Sequence, residues 1–244
     1  MKSQSVVLRF FGLSRTDWFN QLVPILNRDC DDYSAQLDQA ELVLKLNRPA
    51  NDLVHRLTVK FKDQLVGFGS SNNLEQVVGN QLIRHQISVT SAESLTSGMF
   101  QSLLGNVAGI SQIFPGGFVT YSNHSKHQLL SVPSQVISHC GVVSKDTAIW
   151  MASQARKIMQ TDLAVSFTGV AGPSRLENQP AGTVWIGLAK ANHAPKAKLH
   201  HLVDWSRKLA GFEFHSASRN LIRLLSAKIG LKMISDVINN KDSN

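Results

Sequence analysis

A serine, a tyrosine and a lysine in the middle of the chain have the types and spacing of a catalytic set. Ser94 follows a strand-like run at residues 87–91 and precedes an apolar helical stretch that begins at Met99. Lys126 lies five residues after Tyr121, in the first turn of a predicted helix, so its amine can fold back toward the preceding strand. A serine becomes a nucleophile when a base accepts its proton, and a desolvated lysine is such a base. The alternative is that Ser94 caps a helix, Tyr121 is a half-buried strand residue and Lys126 is solvated.

Two further corners of the chain are rich in small or polar residues. Residues 163–167 are a continuous apolar run, and Thr168, Gly169 and Gly172 follow it within one short turn. Glycines there allow backbone N–H groups to approach a ligand closely, although a pair of glycines also fits an ordinary turn. Because ligands of α/β folds bind where strands end, we expect the corners at Ser94, Tyr121 and Thr168 to form one site.

The composition argues against several other classes of protein. The nine histidines and two cysteines show no metal-ligand spacing, so no metal site is predicted. Cys30 and Cys140 lie far apart, which favours a reduced, cytoplasmic protein. No apolar run approaches the roughly 18 residues of a membrane span, and no signal peptide is predicted.

The positive charge of the chain is unevenly distributed. The formal net charge is +8, and residues 1–72 are near neutral, with nine basic and eight acidic residues. The remainder carries sixteen basic and nine acidic residues. Such an excess suits a phosphate-bearing ligand, a nucleic acid or a solvated helix face, and charge alone does not choose among them.

The hydrophobic pattern predicts two α/β domains. Residues 1–72 read as strand, helix, strand, helix, with strands at 6–11 and 40–46, a capping box at Ser14 and a second helix capped by Asn51. The polar stretch at 68–73 is the predicted boundary. Residues 73–238 alternate helices with apolar strands, which indicates an α/β fold with a central sheet covered by helices. Residues 239–244 are predicted to be a disordered tail.

Individual elements of the second domain follow from the same pattern. Its strands are predicted at 87–91, 116–121, 163–167, 183–188 and 198–205. Its helices are predicted at 74–86, 99–104, 123–130, 145–158 and 216–237, with Ser144 as the cap of the fourth.

Five ordered motifs in the second domain form a recognisable set. Glu93-Ser94-Leu95-Thr96-Ser97-Gly98 is similar to E-S-C-T-G-G, and residues 117–126 match G-x-V-x-Y-S-N-x-x-K. Residues 141–144, 168–173 and 180–184 resemble G-A-V-S, T-G-I-A-G-P and P-V-G-T-V. Together they resemble the CinA C-terminal domain family, also called PncC. Residues 1–72 resemble the small KH-like middle domain of full-length CinA proteins, and nothing in the chain resembles their large N-terminal domain, which is similar to molybdopterin-binding proteins.

This resemblance implies nicotinamide-nucleotide amidohydrolysis in pyridine-nucleotide salvage. Nicotinamide mononucleotide (NMN) and water would give nicotinic acid mononucleotide and ammonia, with Ser94 as nucleophile and with Lys126 and Tyr121 managing its proton. The residues implied to bind substrate or oxyanion are Glu93, Thr96, Gly98, Asn123, Thr168, Gly169 and Gly172. The resemblance implies no metal or organic cofactor, and the hydrophobic pattern predicts no membrane partner. It implies a homodimer, in which a partner helix completes the pocket.

Three segments depart from the family pattern. Ser97 stands at a glycine of the first signature, where a Cβ crowds the backbone. Residues 174–179 replace a glycine-rich loop. Phe212-Glu213-Phe214-His215-Ser216 stands at F-x-G-D-R and lacks its aspartate and arginine. Arg175 and Lys190 are the candidate replacements for the arginine alone.

These departures leave three functions open. The first is an active amidohydrolase, and the second is a catalytically weakened relative that binds a nucleotide or a protein partner without turnover. The third is a nucleic-acid-binding protein. It fits least well, because residues 1–72 are nearly neutral and lack the G-x-x-G loop that clamps a nucleic-acid backbone.

Overall fold

A computed structural model describes residues 5–50, 52–204 and 218–239. Their contacts divide them into two compact units, each of which is described by itself. The first unit runs to Val77 and includes Asp204, and the second begins at Val78. The division therefore falls inside the helix Leu74–His85, later than the predicted boundary at residue 72.

The first unit contains a four-stranded antiparallel sheet with short helices. The elements in chain order are β1 (Ser5–Phe10), α1 (Arg15–Asp17), a π-helical turn (Trp18–Leu22), α2 (Val23–Asp29), β2 (Asp32–Asp38), β3 (Glu41–Asn47), α3 (Leu53–Lys60) and β4 (Leu65–Phe68). The strand order is β2-β3-β1-β4. The Ser14 capping box is confirmed, since the Ser14 side chain accepts from the Asp17 N–H. Asp52 is the N-cap of α3, and Asn51 lies outside the described residues.

Two strands of this sheet, β2 and β4, were not predicted. β2 has half-buried and exposed residues in alternation, and its sequence is too polar for a core strand. The turn into β3 places Gln39 and Ala40 at φ values of 47° and 66°. Such a two-residue hairpin turn ordinarily uses Asn or Gly, so the sequence carries no turn signal there. The predicted order of two strands and two helices is therefore wrong in number.

A buried ion pair joins the first strand of this sheet to the segment after β4. The Arg9 Nε donates to Glu41 at 3.0 Å, and its Nη1 donates to the Ser70 carbonyl at 2.6 Å. The other Glu41 oxygen accepts from the Leu74 N–H, at the start of the next helix. The pair thus fixes that segment against the sheet, because each buried charge is satisfied by hydrogen bonds.

The second unit is built around a five-stranded mixed sheet. Its elements in chain order are α4 (Leu74–His85), β5 (Val89–Glu93), α5 (Met99–Gly105), a 3-10 turn (Ile110–Gln112), β6 (Phe118–Val119), α6 (Asn123–Leu130), α7 (Ser134–Cys140), α8 (Lys145–Met159), β7 (Leu163–Gly169), β8 (Thr183–Lys190), β9 (Lys196–His201) and α9 (Arg219–Ile238). The strand order is β6-β5-β7-β8-β9. The strands β5, β6 and β7 are parallel, whereas β8 and β9 run antiparallel to their neighbours.

Helices pack on both faces of this sheet, as the sequence predicts. Successive residues of a strand point to opposite faces. The Ser166 hydroxyl donates to the Ala148 carbonyl of α8 at 2.6 Å. A Cβ added to Gly230 of α9 would lie 2.5 Å from the Phe167 ring, so α9 packs closely on the other face. The α/β fold class is confirmed.

Several predicted boundaries differ from the observed ones. The strand predicted at 116–121 is two residues long, Phe118–Val119, and the one predicted at 198–205 is Lys196–His201. The last helix begins at Arg219, with Ser218 as its N-cap, rather than at residue 216. Ser144 caps α8 as predicted, by accepting from the Thr147 N–H. Residues 240–244 of the predicted tail lie outside the described residues.

Candidate active site

The corner after β5 presents Ser94 at the end of a fully buried strand. The Ser94 N–H donates to the Phe167 carbonyl of β7 at 2.9 Å, which fixes the backbone of the corner. The Glu93 carboxylate accepts from the Phe100 and Gln101 N–H groups at 3.2 and 3.0 Å. Glu93 therefore satisfies the free N–H groups at the start of α5 and positions the corner, instead of facing a substrate.

Two left-handed residues complete the turn between Ser94 and α5. Ser97 has a φ of 50° and Gly98 a φ of 88°. A glycine adopts this conformation without strain, whereas a side chain costs free energy there. The Ser97 side chain is exposed. This departure from the family signature therefore strains the backbone of the turn, and it does not change the environment of Ser94.

Replacing Ser97 with glycine is expected to stabilise the protein by about 1 kcal/mol, because the strain of a left-handed side chain is removed. Urea unfolding monitored by fluorescence measures this change. Ser144, which caps α8 from an ordinary extended conformation, provides the contrast, since Ser144→Gly is expected to destabilise. A loss of stability in Ser97→Gly would contradict the strain argument.

Lys126 brings a buried amine to the Ser94 hydroxyl. The Lys126 side chain is 1% exposed, and its Nζ lies 3.0 Å from the Ser94 Oγ. The Nζ also donates to the Thr120 carbonyl at 2.8 Å. Burial lowers the pKa of Lys126 from 10.5 to about 8, and the nearby Glu177 carboxylate partly opposes that shift. A sizeable fraction of the amine is therefore neutral near pH 8 and able to accept a proton from Ser94.

Tyr121 is bound to an arginine rather than to Lys126. The Arg219 Nη2 donates to the Tyr121 hydroxyl at 2.5 Å, and the Arg219 Nη1 donates to the Gly172 carbonyl at 2.7 Å. The Tyr121 side chain is 55% exposed, at the rim of the site. The predicted proton relay through Tyr121 is not formed here. Tyr121 instead holds Arg219 between two of the three corners.

A cavity of about 500 Å³ opens over this pair. Seven of the ten predicted site residues line it, namely Ser94, Tyr121, Asn123, Lys126, Thr168, Gly169 and Gly172. Glu93, Thr96 and Gly98 are not among its lining residues. The Thr96 carbonyl accepts from the Arg223 Nη2 at 2.9 Å. Thr96 therefore stabilises the corner through this backbone contact, outside the cavity lining.

Thr168 lines the cavity, but its hydroxyl already donates a hydrogen bond within the protein. The Thr168 Oγ1 donates to the Val142 carbonyl at 2.6 Å. A hydroxyl has one hydrogen, so in this arrangement it cannot also donate to an oxyanion. Thr168 therefore ties the wall formed by Val142 to β7, and oxyanion stabilisation falls to other donors of the cavity.

Sequence reasoning missed Arg219 and Glu177, which both line the cavity. Arg219 is the first residue of α9, where a positive charge opposes the helix dipole, and that misplaced charge was a readable signal. Glu177 belongs to the loop at residues 174–179 and carried no such signal. Arg175 and Lys190, the candidates to replace the lost arginine, both lie outside the cavity lining. Arg175 donates to the Asn178 carbonyl, and Lys190 pairs with Leu163 at the opposite end of β7. The segment 212–216 lies outside the described residues.

Within the described ranges, no group of three or more His, Cys, Asp or Glu side chains is arranged to hold a metal ion. In the same part of the chain, no helix combines the length and apolar character that crossing a bilayer requires.

Comparison with known proteins identifies the family. The family model described as the CinA C-terminal domain matches residues 71–238. The chain belongs to the CinA C-terminal domain family. The match covers β5 to β9 and α9, and thus every residue named in the cavity.

Relatives and solved structures agree with this membership. A competence-damage inducible protein of Levilactobacillus brevis is 46% identical over 209 residues, covering 81% of this chain and 50% of that protein. One from Lactiplantibacillus plantarum is 39% identical, covering 96% of this chain and 56% of that protein. The crystal structure of a CinA superfamily protein from Escherichia coli has a TM-score of 0.59 at 27% identity, covering 68% of this chain and 88% of that one. This CinA-family chain thus spans about half the length of the curated relatives it matches.

Proposed function

We propose that this CinA-family protein hydrolyses the carboxamide of NMN to give nicotinic acid mononucleotide and ammonia. The observation that carries the proposal is the 3.0 Å contact between the Lys126 Nζ and the Ser94 Oγ at the base of a cavity. A serine beside a buried amine with a pKa of about 8 is equipped for acyl transfer near neutral pH. A cytoplasmic location and a homodimer belong to the same proposal.

The reaction would proceed in two halves. Neutral Lys126 takes the Ser94 proton as the Oγ bonds to the carboxamide carbon, and the tetrahedral intermediate forms. Lys126 then transfers this proton to the leaving nitrogen, and the C–N bond breaks. Ammonia departs, and the acyl group remains on Ser94 as an ester. A water molecule gives its proton to Lys126 and attacks the ester. Cleavage of the bond between the acyl carbon and the Ser94 Oγ releases the acid, and Lys126 returns its proton to Ser94. The acid loses its own proton to ammonia or solvent and leaves as the carboxylate.

The remaining lining residues suit the charged parts of this substrate. Residues 169–172 line the cavity at a glycine-containing turn. The Val170 N–H donates to the Thr183 carbonyl, so Ala171 and Gly172 are the candidates whose N–H groups would stabilise an oxyanion. Arg219 offers a guanidinium for the phosphate. Of the three departures from the family pattern, Ser97 lies outside the cavity lining, which weakens the argument for a non-catalytic relative.

The proposal is tested by incubating the purified protein with NMN and measuring ammonia and nicotinic acid mononucleotide. Equal amounts of both products are expected, with NMN raising the unfolding temperature as a bound ligand does. Thermal protection without ammonia would favour the weakened relative. Absence of both effects, with salt-sensitive binding of single-stranded RNA, would favour the nucleic-acid hypothesis.

Arg219→Met is expected to raise the KM for NMN by about 10- to 100-fold, because a charge-assisted contact to phosphate is lost. The KM for nicotinamide riboside, which has no phosphate, should change much less. Arg175→Met removes the same charge from outside the cavity lining and serves as the matched control. An equal rise in KM for both substrates would show that Arg219 acts only structurally, through its hydrogen bonds to Tyr121 and Gly172.

A further inference from the structure

One acidic side chain faces a cavity that is otherwise lined by neutral and basic groups. Among the lining residues that the structure describes, Glu177 is the single carboxylate, and Lys126 and Arg219 are the two cations. Glu177 lies in the segment that departs from the family's glycine-rich loop. The family pattern therefore does not imply a role for Glu177, and its role must be inferred from this chain.

The loop holds this carboxylate in a defined place. Leu176 and Gln179 bridge each other across the turn, and Glu177 has a φ of 48°. The Glu177 Oε2 accepts from the Val143 N–H at 3.2 Å. A Cβ added to Gly141 would lie 2.7 Å from the same oxygen, so a glycine at 141 leaves room for the carboxylate.

The carboxylate adjoins an apolar wall. Val142, Val143 and Val170 form a small buried cluster, and all three also line the cavity. A flat ring can pack against such side chains while a carboxylate at the edge neutralises a positive charge on the ring. The field of Glu177 reaches the reacting groups, since this carboxylate opposes the lowering of the Lys126 pKa.

The ring of NMN carries such a charge. Its nitrogen bears the ribose and is a quaternary pyridinium, and only one ring carbon separates it from the carbon that bears the carboxamide. If the carboxamide lies at Ser94, the positive charge lies in the same cavity as Lys126 and Arg219. Near pH 8 a fraction of Lys126 is still protonated, so the pyridinium adds positive charge beside Arg219 and that fraction of Lys126, which is unfavourable without a counter-charge.

We propose that Glu177 is a specificity residue that selects cationic pyridinium carboxamides over neutral aromatic carboxamides of the same shape. The proposal rests on the proposed function, and it names the substrate class of that same site. The carboxylate acts on binding of the ring, and its separate effect on the reacting groups is to raise the Lys126 pKa.

The test compares two ligands in the Ser94→Ala background, which prevents turnover. The ligands are NMN and its neutral counterpart, 3-carbamoylphenyl riboside 5′-phosphate, in which a ring carbon replaces the charged nitrogen. Adding Glu177→Gln is expected to weaken NMN binding by about three- to fivefold in calorimetry, because an unlike charge is removed from an exposed position beside the ring. The affinity for the neutral ligand should change less than about twofold.

The matched control is Asp146→Asn, an equal loss of charge at an exposed residue in the first turn of α8. Asp146→Asn should alter neither affinity. This result would separate a local effect of the Glu177 carboxylate from an effect of the protein's net charge. Glu177→Gln also lowers the Lys126 pKa, so binding is measured well below pH 8, where Lys126 is protonated with either residue at position 177. An unchanged preference for NMN in Glu177→Gln would overturn the inference while leaving the proposed function intact. Failure of NMN to bind at all would overturn both, and binding with no turnover when Ser94 is present would overturn the proposed function alone.

Discussion

Replacing Ser94 with alanine is expected to abolish ammonia release from NMN, with a loss of about ten-thousandfold or more in kcat. The Ser94 Oγ is the atom that lies 3.0 Å from the Lys126 Nζ, and alanine removes it without changing the backbone bond to Phe167. The Arg219 side chain and the cavity walls remain. NMN should therefore still raise the unfolding temperature of Ser94→Ala, as a ligand that binds the folded state does.

The matched control for this change is Ser91→Ala, three residues earlier and within β5. The Ser91 hydroxyl is buried and has no hydrogen-bond partner among the described residues, and Ser91 does not line the cavity. Ser91→Ala should therefore keep its activity. Turnover retained in Ser94→Ala at the level of Ser91→Ala would contradict the nucleophile assignment.

Lys126→Met is expected to lower kcat/KM by about a thousandfold, because the general base is lost. Lys126→Arg should be no better, since a guanidinium does not release its proton in this pH range. In the parent protein kcat/KM should rise with pH to a plateau, with a midpoint near the Lys126 pKa of about 8. Lys145→Met, at an exposed residue, is the control for loss of charge. A pH profile that is flat between 6 and 10 in the parent would contradict the assignment of Lys126 as the base.

The same variant is expected to change how stability depends on pH. Burial lowers the pKa of Lys126 in the folded state to about 8, so the folded protein is penalised for binding the proton below that pH. The penalty is lost as pH rises from about 8 toward 10.5, where the unfolded lysine also loses its proton. Relative to Lys126→Met, the parent should therefore gain about 2 to 3 kcal/mol between pH 7 and pH 10. Urea unfolding of both proteins at the two pH values measures this difference.

The sequence predicts the reacting pair because both residues lie beside strand ends. Ser94 follows β5, and Lys126 lies one turn into α6, which follows β6. Because β5 and β6 are parallel neighbours, their ends bring the two residues near each other. Thr168 and Gly169 end β7, the parallel neighbour of β5, and were found for the same reason. Residues at the ends of adjacent parallel strands meet at one edge of the sheet.

The parts of the site that were missed come from elsewhere in the chain. Arg219 reaches Tyr121 from a helix 98 residues away in sequence, and its approach depends on how α9 packs on the sheet. Glu177 depends on a short loop whose conformation includes two non-glycine residues at positive φ, Glu177 and Asn178. Glu93 and Thr168 are predicted from the sequence to bind the substrate or the oxyanion. Their type suits substrate binding, but in the structure their polar atoms are used by backbone groups of the same unit.

The central claim is that Ser94 is acylated by the substrate, and rapid-quench mass spectrometry of the parent protein with NMN tests it most directly. The predicted result is a transient mass increase equal to the nicotinic acid mononucleotide acyl group, located on the peptide that contains Ser94. Hydroxylamine, which intercepts acyl esters, should divert part of the product to the hydroxamate. Ammonia release at the full rate, with Ser94 unmodified at every time point and no hydroxamate formed, would contradict the account.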